Sequence, residues 1–488
     1  MNKVIVYLLL ILIIGLSAIN KIQNISNDLA PANIAHLYSL ITLDNWNKQS
    51  PHTCFYISRL TYDKAGDKNM EYYPRLLDKN GNNYYISHPP FSMIFHYYLI
   101  KFFHLEISQA SLQWIHLFLF LIEILIIFLL VKLLLEKKRY KMELALLGAL
   151  FYAAIPVVNY MHTFHCFSES LGQTLFLLSI YTIIRYYYNS RKTIDLIFVF
   201  ISLFLFVYTD WLGIFLFLSL ILLMFLRRQY YSSKLFIIII SSVGLSLSLT
   251  LFQYIHIASL YELLHSLGIR FIERSGWFAS KLTDQGKNII SISSYKNLII
   301  LFWKLITGVG SIVFVLWIIL KIKSVNTRIK LLFLCLFLLP AVLSVLVFFN
   351  AMVLHYIYWA RFSLFLSLIT VIFVQRLLYL NKININIILL IVFIVGIFWS
   401  ILSFDKQNKI SNDDKDKIVA IIKNVKPNEA IFINSNIIKE INIYYYIYKS
   451  KRNIRLSDNK EKVIEYCKLK KIEKAVFITN NKNSVLNE

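Results

Sequence analysis

The sequence predicts an all-α protein that crosses a membrane about eleven times and ends in a small α/β domain. Three observations carry that expectation. Of 488 residues, 58% are hydrophobic and only 16% are charged, and the mean hydropathy is +0.60. The apolar residues gather in blocks that approach the roughly 20 residues needed to cross a hydrocarbon core about 30 Å thick. Every second loop between these blocks is basic. A soluble chain of this length would divide into domains carrying far more surface charge.

The blocks fall near residues 4–20, 109–135, 142–158, 167–187, 193–209, 211–226, 234–255, 297–321, 329–349, 354–379 and 384–403. Each is expected to be helical, because backbone groups in lipid must find partners within their own segment. The first lacks a small-x-small cleavage site, so it is read as a retained helix and not as a signal peptide. Basic clusters follow the second block (Lys137, Lys138, Arg139, Lys141), the fourth (Arg185, Arg191, Lys192) and the sixth (Arg227, Arg228, Lys234). Others follow the eighth (Lys321, Lys323, Arg328, Lys330) and the tenth (Arg376, Lys382). The positive-inside rule places these loops in the cytoplasm, and the parity sends the C-terminus outside.

The expected division is a membrane domain over 1–403, including a long outer loop at 21–108, and an extracytoplasmic α/β tail over 404–488. A second outer region spans 256–296. In the tail, Ile418–Val425 and Glu461–Leu469 read as helices, and Ala430–Asn434 and Ala475–Thr479 as strands. The tail has no glycine-rich phosphate loop. A formal charge of +24 would suggest nucleic acid in a soluble protein. Here the basic residues sit in short clusters between apolar blocks, so no nucleic-acid partner is expected. Cys54, Cys166, Cys335 and Cys467 are scattered, without the spacing of a zinc site or a disulfide framework.

Several residues in outer positions have the chemistry of a site. The first loop opens with Asn27-Asp28-Leu29-Ala30-Pro31, followed by Ala32–Leu43, a stretch suited to an amphipathic helix on the membrane surface. Asp28 fits either an N-cap or a catalytic base. His88-Pro89-Pro90-Phe91 fixes an extended turn ahead of the amphipathic stretch Ser92–Phe103. Glu169 stands where the fourth span begins, and suits the positive end of a helix. Together with His162 and His165 it leaves room for a divalent metal. Asp210, before Trp211 and between two spans, is flanked by apolar sequence and needs solvent or a partner. Arg270 and Arg274 supply cations in the second outer region. His355 and Arg361 open the tenth span, where Arg361 needs a counter-charge or a polar cavity unless it snorkels to the surface.

One leading span, a long outer loop with an acidic start, the His88-Pro89-Pro90-Phe91 turn, many spans and an outer tail together resemble the GT-C glycosyltransferases. Within them the chain is most similar to the protein O-mannosyltransferase and aminoarabinose transferase branch. The resemblance implies a plasma-membrane enzyme that moves a sugar from a polyprenyl-phosphate carrier to a protein, lipid or glycan acceptor on the outer face. It implies Asp28 as catalytic base, with Asp44 as second choice, and Glu169 as a second catalytic acid residue. His88, Asp210, Arg270, Arg274, His355 and Arg361 are then expected to bind substrate, with the arginines gripping the carrier phosphate. No cofactor is firmly implied, and a divalent metal stays open. The rivals are a flippase of lipid-linked sugars and a polysaccharide polymerase or ligase. A flippase needs no long first loop or folded tail, and no paired repeat halves are visible.

Overall fold

A computed structural model describes residues 3–22, 25, 34–63, 76–135, 139–165, 167–188, 192–276, 296, 334–379, 412–436, 443–479 and 483–487. Its helices, in chain order, begin with α1 (Lys3–Ile22), α2 (Ile34–Gln49), α3 (Phe91–Phe102), α4 (Gln109–Leu134), α5 (Lys141–Ala154) and α6 (Pro156–Phe164). They continue with α7 (Ser168–Tyr188), α8 (Thr193–Val207), α9 (Leu212–Leu226), α10 (Ser233–Ile255) and α11 (Leu260–Ser275). The last are α12 (Leu339–Val347), α13 (Phe349–Leu354), α14 (Ser363–Tyr379), α15 (Asn412–Lys423), α16 (Ile443–Ser450) and α17 (Lys460–Lys470). The chain divides into two compact units. The first comprises Met1–Ile25, Gln113–Leu249 and Phe271–Asp405; the second comprises Ser26–Leu112, Thr250–Arg270 and Lys406–Glu488.

The first unit is helical. Among the described residues, Gln109–Leu134, Ser233–Ile255 and Ile357–Tyr379 are long and apolar enough to cross a membrane, and α5 with α6 makes a fourth if the bent pair is one span. This is fewer than the eleven expected. The blocks at 297–321 and 384–403 lie outside the described residues. The blocks at 193–209 and 211–226 are two separate helices, as expected, but each has only 15 residues and falls short of a full span. Helix α7 is long, but its buried Ser168, Glu169, Gln173 and Thr174 lower its hydropathy. They face protein, where polar groups find partners.

The block at 142–158 breaks at Pro156, and α5 and α6 meet at 59°. Proline has no N–H, so the Tyr152 carbonyl accepts instead from Ile155 at 3.2 Å. Asn159 Nδ2 donates to the Ala153 carbonyl at 2.7 Å and so serves a group that the bend exposes. Elsewhere, small residues let the backbones close up. A Cβ at Gly148 would lie 3.0 Å from Val131 and 3.1 Å from Val371, so the glycine admits α4 and α14 against α5. Between α8 and α9, a Cβ at Gly213 would lie 2.6 Å from a Val207 methyl, and the Asp210 carboxylate accepts from the Leu212 N–H at 3.0 Å. The Asp210 side chain, bonded to the backbone N–H two residues on, and a glycine together make this turn.

In the second unit, α2 is packed inside. Leu37, Leu40, Ile41, Leu43 and Trp46 are buried, but so are His36, Ser39, Thr42 and Asn45. The expected amphipathic helix with an open polar side is therefore corrected: both its apolar and its polar sides are buried. Its polar side is used by Asn45, whose Nδ2 donates to the carbonyls of Arg59 and Thr61, both at 3.1 Å. Strands β1 (Ser58–Arg59), β2 (Leu76–Leu77) and β3 (Asn83–Tyr85) form an antiparallel sheet in the order β1-β3-β2. The two prolines do start the next helix: the Pro90 carbonyl accepts from Met93 at 3.0 Å and Ile94 at 3.2 Å.

The tail contributes a four-stranded sheet in the order β5-β4-β6-β7, with β4 at Ala430–Asn434, β5 at Arg455–Ser457, β6 at Lys474–Ile478 and β7 at Asn483–Asn487. β4 pairs in parallel with β5 and β6, while β7 is antiparallel to β6. The expected strands match β4 and β6, and the expected helices match α15 and α17. Ala430, Phe432, Val463, Cys467, Ala475 and Phe477 form its core. Asn453 ties the tail to the first loop within this unit. Its amide accepts from the Tyr62 N–H and donates to the Tyr62 carbonyl, both at 3.1 Å, as a neighbouring strand would. Residues 260–275, expected as part of a charged loop, form the helix α11.

Candidate functional site

The site lies in the first unit, where a 3₁₀ segment, Tyr356–Phe362, precedes α14. From it Arg361 reaches Asp210. Nη2 donates to Oδ2 at 3.0 Å and to Oδ1 at 3.3 Å, and both side chains are almost fully buried. Arg361 does not snorkel; Asp210 is its counter-charge. The guanidinium also lies over the Tyr358 ring, 4.6 Å from its centroid. Nη1 and Nε have no partner among the described residues. Asp210 can come this close to α7 because residue 172 is glycine: a Cβ there would lie 3.0 Å from the Asp210 Cβ and Oδ2.

Glu169 is the next member. Its Oε1 accepts from the Tyr358 hydroxyl at 3.1 Å, and its Oε2 lies 3.1 Å from His165 Nε2. Tyr358 thus touches both Glu169 and Arg361, and the run His165–Glu169–Tyr358–Arg361–Asp210 is continuous. His162 is not in it. Its Nε2 pairs with Glu123 Oε2 at 2.8 Å, so His162, His165 and Glu169 do not gather on one ion. Among the described residues, no group of three or more His, Cys, Asp or Glu side chains is placed to hold a metal.

A second buried polar group adjoins this run, and sequence reasoning missed it. Glu123, fully buried on α4, accepts from the Tyr152 hydroxyl at 2.7 Å and from the Thr174 hydroxyl at 2.7 Å, in addition to pairing with His162. Lys21 is buried too; its Nζ donates to the Asn159 carbonyl at 2.9 Å and the Thr163 hydroxyl at 3.1 Å, and sits 4.2 Å from the Phe120 ring centroid. The available signal was an acid in the middle of the apolar run Phe118–Leu130, which by itself marks an interior polar contact.

The other predicted residues stand elsewhere. Asp28 lies outside the described residues. His355 is exposed, with its ring edge-on to Tyr358 at 6.0 Å. Arg270 and Arg274 are half-buried near the end of α11. His88 is buried in the second unit, where its carbonyl accepts from the Tyr254 hydroxyl at 2.8 Å and its ring stacks on Tyr85. Asp44, also in the second unit, pairs with Lys451 at 2.9 Å and Lys48 at 3.0 Å. Burial alone would raise its carboxyl pKa, but the two lysines outweigh burial and hold it below its ordinary value. The tyrosines beside it, Tyr62 and Tyr448, are pushed up by burial and by its charge, Tyr448 to about 12.

No protein-family model matches the sequence, and no curated protein does. Solved structures match along almost the whole chain. The oligosaccharyltransferase AglB from Archaeoglobus fulgidus, in complex with an inhibitory peptide and a dolichol-phosphate, superposes with a TM-score of 0.57 at 11% identity, covering 96% of this chain and 69% of that one. The same archaeal enzyme in complex with Zn and sulfate gives 0.56 at 12% identity, over 96% and 67%. ArnT from Cupriavidus metallidurans, bound to undecaprenyl phosphate, gives 0.57 at 9% identity, over 96% of this chain and 92% of that one. AglB and ArnT are GT-C fold glycosyltransferases, and this chain has the GT-C fold.

Proposed function

We propose that the protein is a membrane glycosyltransferase that moves a sugar from a polyprenyl-phosphate donor to an acceptor on the extracytoplasmic face, with inversion. The observation that supports it most is a fold shared end to end with ArnT bound to undecaprenyl phosphate, joined to a buried arginine whose Nη1 and Nε have no partner among the described residues. The full membrane domain, with about eleven spans by the sequence, belongs to this reading.

In the proposed step, an acceptor oxygen or nitrogen attacks the anomeric carbon. The new bond forms as the bond from that carbon to the carrier phosphate oxygen breaks, and the electron pair leaves with the phosphate. The acceptor's proton passes to a carboxylate, Asp28 by preference. Negative charge growing on the phosphate is offset by Arg361, with Arg270 and Arg274 as further cations. Asp210 holds Arg361 by one nitrogen and so keeps the remaining N–H groups aimed and unspent. A dry setting strengthens that interaction relative to water. Glu169, His165 and Tyr358 line the same region, and a divalent ion, if used, would find its first two ligands in His165 and Glu169.

The test is the full chain in proteoliposomes with a radiolabelled polyprenyl-phosphate sugar. Transfer consumes the donor and releases polyprenyl phosphate; a donor that only changes leaflet would replace this reading with the flippase. Asp28→Asn should lower transfer by about 10²–10⁴-fold with the fold intact. Full retained activity would remove Asp28 as the base.

A further inference from the structure

Glu123 takes no part in the proposed transfer, yet three side-chain donors from three helices converge on it: Tyr152 from α5, His162 from α6 and Thr174 from α7. A buried carboxylate satisfied in this way is a rigid node, because each donor would be costly to strand. The network runs onward from Tyr152. Gln173 Nε2 donates to the Tyr152 hydroxyl oxygen at 3.4 Å, to the Ala360 carbonyl at 3.3 Å and to the Ser363 hydroxyl at 3.2 Å. Ser363 donates in turn to the Ala360 carbonyl at 2.5 Å.

Ala360 and Ser363 flank Arg361, at the end of a 3₁₀ segment seven residues long. Such runs seldom exceed about four residues, because their hydrogen bonds are poorly aligned. A longer one needs support from outside, and Gln173 supplies it. Gln173 stands one helical turn after Glu169 on α7, so the helix that presents Glu169 to Tyr358 also grips the segment carrying Tyr358.

We propose that Glu123 is a positioning residue: through Tyr152 and Gln173 it holds the Tyr356–Phe362 segment in the register that delivers Tyr358 to Glu169 and Arg361 to Asp210. Its effect on rate rests on the transfer reading above; its restraint on the segment does not.

The experiment uses the full chain in lipid nanodiscs and compares wild type with Tyr152→Phe, Glu123→Gln and Thr174→Ser. Donor turnover is measured alongside amide hydrogen exchange. In Tyr152→Phe, kcat should fall about tenfold while the donor KM stays within about twofold, as for a group that aligns without binding substrate. Exchange at residues 356–363 should quicken about tenfold while the rest of α14 keeps its protection. Glu123→Gln should do the same or more, and Thr174→Ser, which keeps the hydroxyl, should behave as wild type. Wild-type protection at 356–363 in both Tyr152→Phe and Glu123→Gln would overturn the proposal. So would protection lost evenly over the whole unit, which marks a general core role. If the wild-type chain consumes no donor, the transfer reading falls, and the exchange at 356–363 still decides this one.

Discussion

Asp210 and Asp44 each hold a long basic side chain, one in each unit, and their surroundings differ. The Asp210–Arg361 pair leaves 3% and 7% of its side chains exposed, whereas Asp44 and Lys451 leave 16% and 37%. In the first pair both charges have been taken from water, so neither can be removed without stranding the other. In the second, water and Lys48 remain to serve whichever partner is left. The buried pair is therefore suited to hold a cation still, and the half-exposed pair to fasten the tail.

The sharpest way to break that contrast is to remove one partner from each. Asp210→Ala should cost roughly 3–5 kcal/mol of stability, read by denaturant unfolding in micelles. Removing both charges in Asp210→Leu with Arg361→Met should recover most of that stability while transfer stays lost. Gly172→Ala probes the same pair by crowding it. The new methyl would sit 3.0 Å from the Asp210 carboxylate, so a loss of roughly 1–3 kcal/mol and slower transfer are expected. Lys451→Ala should cost under about 1 kcal/mol. Acid tests the same contact. Because the folded Asp44 pKa lies below the ordinary 3.8, the pair's contribution is complete above that value and is lost as pH falls through the lowered one. Exchange protection at Asn453 should hold at neutral pH and drop on acidification below about pH 4. If Lys451→Ala matched Asp210→Ala in cost, burial would not be what separates the two pairs.

The parts of this fold that follow a local rule were legible in the sequence. Among the described residues the apolar blocks became helices, Pro89 and Pro90 began one, and β4 and β6 fell at the short continuous apolar runs of the tail. The break after Val207 was legible as well, since Asp210 places a charge in the middle of an otherwise mostly apolar run. Pairings across the chain were not. Nothing near Arg361 announces Asp210, 151 residues away, as its counter-charge. Helix α2 reads as amphipathic, but its polar face meets a strand edge that the sequence does not reveal. Glu123 was the clearest missed signal, because a lone acid within a span is informative before any fold is known. β5, three residues long, was too short to carry a pattern.

The bend at Pro156 has one more effect. His162 stands six residues beyond the proline, about 9 Å along its helix axis. Straightening α6 into line with α5, by removing a 59° turn, would carry the imidazole sideways by roughly 9 Å. A single pyrrolidine ring thus acts as the fulcrum of a lever whose far end is a histidine. Replacing it with alanine would alter no polar atom in the network, yet it would point that histidine at a different neighbour.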